Sequence, residues 1–246
     1  MLLRITGLVC AIFAGWGIAA AQGPSQPLDT GAIVSKMEQA QRESAIKPKS
    51  FTIKRDYRLL DKENEPKAHL IATISFVPPD QKQYQIESSH GGMGEKILRD
   101  ILDRETETPK DPERKVISGD NYDFQLLGTQ TMDGRLCYVL SLVPKRKDKD
   151  LIRGQAWVDA ETFNIRRIEG APAKSPSWWV HDVQILMTFA EVDGVWLRTF
   201  MRAVASVRFK GKYEMISRNL EYHSTEQART RRRNRPAILA GAALAP

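Results

Sequence analysis

A run of about one hundred residues, Asn121 to Tyr222, reads as one unbroken antiparallel meander. Seven strand-like segments follow one another across short turns. Two of the turns are Asp-Gly pairs, Asp133-Gly134 and Asp193-Gly194, the strongest short signal for a hairpin. So long a meander must curl or close to protect its edges. It also lacks the crossover helices that a parallel α/β sheet needs.

The segment before the meander adds three strands and two helices. Asp29 or Thr30 can cap a helix whose apolar residues Ile33, Val34, Met37 and Ala40 share one face; it is expected to end before Pro48. Phe51 to Leu59 alternates, with Phe51, Ile53, Tyr57 and Leu59 on one face. Arg55 breaks that pattern by standing among them. Leu70 to Val77 is a second strand, ended by Pro78-Pro79, and Lys82 to Glu87 returns as a third. Gly91-Gly92-Met93-Gly94 interrupts the sheet. A second helix is expected over Glu95 to Glu107, with Ile97, Ile101, Leu98 and Leu102 as its apolar stripe and Thr108-Pro109 as its stop.

Within the meander, Val195 to Phe209 alternates without a break. Leu197, Thr199, Met201, Ala203 and Ala205 share one face, which suits a cavity wall or the seat of a helix. Trp196, Arg198, Phe200 and Arg202 share the other, which suits solvent, with arginine stems over aromatic rings. Trp178 and Trp179 are adjacent and on a strand would point to opposite faces. Either both are packed, or one sits at a cavity mouth.

The ends bound the compartment. Met1 to Ala21 carries Arg4, an apolar core and Ala19-Ala20-Ala21 before Gln22, the pattern of a secretory leader cleaved after Ala21. Cys10 lies too early for a lipidation site. Residues 22–28 read as a linker, 29–223 as one domain, and 224–246 as a disordered arginine-rich tail. The tail's arginines either stay solvated or touch anionic phospholipid or nucleic acid. The net charge of +7 is largely a matter of these ends. Without Arg4 and the tail's five arginines, 31 basic residues remain against 30 acidic ones, so no basic face for specific nucleic-acid binding follows. Cys137, in the apolar strand Leu136 to Val143, is expected to be a buried thiol.

The layout of helix, three strands, helix and meander resembles that of outer-membrane lipoprotein-sorting proteins, the LolA/LolB-like superfamily, which includes RseB-type envelope regulators. Cys137 to Trp179 carries the likeness most strongly: a strand, a basic Pro-Lys turn, a strand ending Trp-Val-Asp and another ending Arg-Ile-Glu. Val192 to Phe200 fits the family's next hairpin. The resemblance implies an α+β, mainly β fold, a half-open antiparallel barrel of about ten strands with helices over its concave face. It implies a periplasmic, monomeric binding protein for acyl chains, a lipoprotein anchor or another apolar ligand. An RseB-like sensor with an envelope protein partner is the alternative. The candidate cavity residues are then Phe51, Ile53, Arg55, Tyr57, Leu197, Met201 and Trp178. Arg55 would either latch the cavity on carbonyls of the covering helices, or sit at a bulge, or snorkel to the rim.

No arrangement in the chain announces catalysis. His69, His90, His181 and His223 show no metal-ligand spacing. No Gly-x-Ser-x-Gly elbow occurs. Gly91 to Gly94 lacks the Lys-Ser/Thr ending of a phosphate loop. Asp159, Glu161, Glu169 and Asp193 fall at turns or strand ends, where solvation accounts for them. A binding protein without cofactor or metal is the expectation, and a lipid- or cell-wall-acting enzyme is the third reading.

Overall fold

A computed structural model describes residues 29–46, 49–107 and 111–224. The leader, the linker, Pro48, Thr108-Pro109 and the arginine cluster lie outside the described residues. The chain forms α1 (Thr30–Ile46), β1 (Phe51–Leu60), β2 (Pro66–Val77), β3 (Gln81–His90), α2 (Gly92–Thr106), a short 3-10 turn (Pro112–Lys115), and then seven strands. These are β4 (Tyr122–Met132), β5 (Arg135–Pro144), β6 (Ile152–Asp159), β7 (Ile165–Pro172), β8 (Val180–Val192), β9 (Val195–Val207) and β10 (Gly211–Ser224). All ten strands make one antiparallel sheet in the order β3-β2-β1-β10-β9-β8-β7-β6-β5-β4. Among the described residues it does not close, so β3 and β4 are its end strands. This is the mainly-β, half-open, two-helix architecture expected. Ser224 departs from the expected tail: it is buried and pairs with Phe51 at the end of β10.

Local chemistry explains the elements. The Asp29 carboxylate accepts the Ala32 N–H at 2.7 Å and caps α1. Asp133 and Gly134 take φ of 51° and 76°, and Asp193 and Gly194 take 51° and 75°. Two successive positive φ values make the tight turn that Asp-Gly permits at low cost. Gly91 lets α2 start close against β2, since a Cβ there would lie 2.5 Å from the Ala68 Cα.

Two separate cores lie under the two helices. Ile33 and Met37 of α1 pack with Leu140, Leu142, Val158 and Ile168. Leu98 and Leu102 of α2 pack with Tyr57, Leu70, Ala72 and Met215, while Ile97 is exposed. Met187 packs on the first core and Met201 on the second, and the two residues pair across β8 and β9. Both cores therefore occupy one face of the sheet, called here the inner face, with the two methionines at the seam.

The outer face has its own small cluster of Cys137, Val139 and Trp157. Cys137 is a buried, free thiol, and burial pushes its pKa up. Cys137 should stay silent towards a thiol reagent in the folded protein and react once urea exposes it. Also on the outer face, Asp56 is buried and bonds to Arg58, Arg218 and His69, tying β1 to β10 and β2.

Asp159 corrects an expectation. It is 1% exposed, not solvated. Arg135 donates to it at 2.6 Å, and the N–H groups of Glu161 and Thr162 donate at 3.0 Å each. Burial alone would raise its pKa; those donors overcome it and hold the carboxyl at about 2.

Candidate binding site

Two bulges decide what faces inward in the middle of the sheet. Phe189 packs on the α1 core and pairs with Arg198, whereas Thr188 pairs with Phe200. Thr199 is therefore an extra residue in β9. A one-residue slip turns every following side chain to the opposite face. Met201, Ala203 and Ala205 stay on the inner side, but before the bulge Trp196 and Arg198 point inward and Leu197 points outward. The unbroken alternation of β9 in the sequence hides this. In β10, Lys54 pairs with Glu221 and Arg55 with Asn219, so Leu220 is the extra residue there.

Past the pair Phe200–Arg218 the ladder between β9 and β10 stops. The Arg198 carbonyl loses its partner in the sheet, and a buried carbonyl must find another. It accepts from Asn219 Nδ2 at 3.0 Å and Arg55 Nη2 at 3.4 Å. Arg55 is 4% exposed. Its Nε donates to Asn219 Oδ1 at 2.7 Å and its Nη1 pairs with Glu105 of α2. Glu105 also accepts from Tyr57 at 2.9 Å and pairs with Arg198 at 2.7 Å. The sheet thus parts, and an Arg-Glu-Arg cluster fills the parting and fixes α2 over it. Burial, and then the charge of Arg198, lower the Arg55 pKa to about 10. The Arg198 guanidinium is lowered by burial as well.

Arg55 is therefore held by a helix and sits beside a bulge. The acceptor on the helix is a carboxylate, whereas the latch considered from the sequence, one of three alternatives, used helix carbonyls. Glu105 continues the inward stripe of α2 three residues after Leu102, and that spacing is the signal by which it was findable.

A groove of about 520 Å³ opens beside this cluster, at the end of α1. Ile117, Ile165, Ile168, Phe189 and Trp196 supply its apolar surface; Glu38, Gln41 and Arg42 of α1, with Glu113 and Lys115, supply polar groups. Trp196 is fixed by its indole N–H, which donates to the Ile165 carbonyl at 3.1 Å. A second cleft, of about 340 Å³, is lined by charged side chains such as Arg104, Arg114, Asp148 and Asp150. Those charges pair with one another, as Arg114 does with Asp148 and Lys115 with Asp150.

The candidates read from the sequence divide accordingly. Arg55 and Tyr57 meet at the cluster. Ile53 is buried, and Phe51 packs in tilted contact with Phe76 and Tyr222, with centroids 5.1 and 5.8 Å away. Met201 lies at the seam. None of these lines the groove, and Leu197 is turned away from it. Trp178 lies before β8, in the turn after β7, and is 77% exposed; Trp179 beside it is 41% exposed. Neither tryptophan is core. The groove residue Trp196 escaped the sequence reading because the Thr199 bulge leaves no mark in the alternation, and Phe189 because it lines the groove only together with α1 and the segment around Ile117.

Among the described residues, no group of His, Cys, Asp and Glu could hold a metal ion. No protein-family profile and no curated protein matches the sequence. Solved structures do match. A DUF1329 family protein from Desulfovibrio piger is 14% identical, with 80% of this chain and 94% of that one covered and a TM-score of 0.41. A LolA superfamily protein from Nitrosomonas europaea is 14% identical, over 80% and 93%, with a TM-score of 0.38. The MucA/MucB complex of Pseudomonas aeruginosa is matched at 12% identity over 75% and 93%, with a TM-score of 0.26. The chain is similar to LolA-superfamily folds.

Proposed function

We propose that the protein is an exported, non-enzymatic binding protein of the cell envelope that takes an acyl chain or another apolar ligand in the groove beside α1. The carrying observation is the groove itself: an apolar surface of isoleucines, Phe189 and Trp196, ringed by polar groups, within the usual volume range of small-ligand sites. Burial of apolar ligand surface would drive binding, at about 25 cal/mol per Å². Export rests on the leader pattern at Met1 to Ala21.

Phe189→Asp should weaken binding of an apolar dye about tenfold while circular dichroism stays unchanged, because a charge would stand where apolar surface is to be buried. Mass spectrometry of the solvent-extracted protein should find lipid in the parent chain and less in the variant. A lipid-free parent chain whose dye binding ignores Phe189 would overturn the reading. The sensor reading has a feature of its own in the end strands β3 and β4, where an extended peptide could add a strand. A lipid-free protein retained by an envelope protein would favour it.

A further inference from the structure

The turn between β9 and β10 carries an anomaly. Phe209 takes φ of +64° and is 99% exposed. A bulky residue at positive φ is costly, and glycine or asparagine is the residue that such a turn favours. Phe163 also has positive φ, at 56°, but its ring packs on the α1 core and under the Lys36 ammonium. Among the described residues Phe209 has no such return. A local cost that no internal contact offsets points to a contact made outside.

Its neighbours say what kind. The N–H of Arg208 donates to the Trp179 carbonyl at 2.9 Å, which binds this turn to the Trp178-Trp179 pair. The Arg208 guanidinium lies 5.8 Å from the Trp178 ring centroid. Lys210 Nζ reaches the Met93 sulfur at 3.6 Å, and Met93, at the start of α2, is 73% exposed. Three exposed aromatic rings and a methionine thus stand together at one end of the sheet, interleaved with an arginine and a lysine. Indole and phenyl rings partition to the boundary between lipid headgroups and acyl chains, and cations beside them meet anionic headgroups. Among the described residues no helix is long and apolar enough to cross a membrane.

We propose that this tip is a docking surface for a bilayer rich in anionic phospholipid, with Phe209 and Trp178 entering the interface and Arg208 and Lys210 on the headgroups. It is a separate surface from the groove and does not depend on what the groove holds. The test is co-sedimentation of the purified chain with phosphatidylglycerol/phosphatidylethanolamine vesicles and with pure phosphatidylcholine vesicles. The parent chain should prefer the anionic vesicles. Trp178→Ser with Phe209→Ser should bind them about tenfold more weakly at an unchanged melting temperature. Phe209→Leu, which keeps an apolar group, should retain most of the binding. Brominated phosphatidylglycerol should quench tryptophan emission in the parent chain and lose most of that effect in Trp178→Ser. The arginine-rich tail is present in every variant, so undiminished binding by the double variant would place the contact elsewhere and overturn the proposal. Equal binding to both vesicle types would overturn it too. So would a tip that governs self-association in the ultracentrifuge and no vesicle binding.

Discussion

Glu105→Leu should lower the unfolding free energy by about 3 kcal/mol, the range in which loss of one partner leaves a buried charge uncompensated. Glu105 is the carboxylate that Arg55 and Arg198 share, and it also accepts the Tyr57 hydroxyl. Removing it leaves two inward guanidiniums facing each other across a parting in the sheet, with an unpaired phenol beside them. For a chain of this size the melting temperature should fall by about 6–12 °C. Urea titration measures the loss directly. Removing Arg55 and Glu105 together, as Arg55→Met with Glu105→Leu, should recover part of it, since an apolar replacement of similar volume spares the burial of charge. An unchanged urea midpoint in Glu105→Leu would mean that the cluster is solvated and holds nothing. Helix α2 would show the change as well. Amide hydrogens of α2 should exchange faster in Glu105→Leu, while those of α1, which packs on the other core, should not.

Asp159→Asn should cost about 2 kcal/mol at neutral pH and almost nothing near pH 2. The sign follows from the direction of the shift. The folded carboxyl titrates at about 2, below the ordinary aspartate value of 3.8. A depressed acid stabilises the fold above its unfolded pKa, and that contribution fades as pH falls from about 4 towards 2. Asparagine keeps the size of the side chain and can still accept hydrogen bonds, but it cannot pair with Arg135 and Arg166, which reach Asp159 at 2.6 and 3.5 Å. Urea unfolding at pH 7 and at pH 2.5 tests this. The gap between parent and variant should narrow at the lower pH, and a constant gap would sink the linkage.

How far the sequence revealed this molecule depends on how local each determinant is. The Asp-Gly hairpins were legible because two adjacent residues alone set a pair of positive φ angles. Both helices were legible from a capping aspartate, a glycine cluster and apolar spacing. Arg55 stood out because a charge within an alternating apolar face is a conflict at one position. The groove was not legible, because it is made where α1, the segment around Ile117, and β7 to β9 converge. The bulge at Thr199 was hidden for another reason. Threonine fits a regular strand and a bulge equally well, and what the bulge gains is a contact with the neighbouring strand, where the Thr188 hydroxyl lies 3.2 Å from that of Thr199.

That bulge has a consequence for how the chain can change over time. Deleting Thr199 would give β9 and β8 a continuous ladder, and by the measure of strand regularity alone the result is an improvement. The shortened strand would keep Arg198 opposite Phe189 and Trp196 opposite Glu191, so Trp196 and Arg198 would stay inward and Leu197 outward. Flattening the bulge with Thr199 retained would instead exchange the faces of everything upstream of it, turning Trp196 and Arg198 outward, stripping Glu105 of one of its two arginines and bringing Leu197 inward. The irregularity is thus the setting that assigns this strand's residues to their sides, and lineages that keep the groove should either keep the extra residue with its bulge or lose the two together.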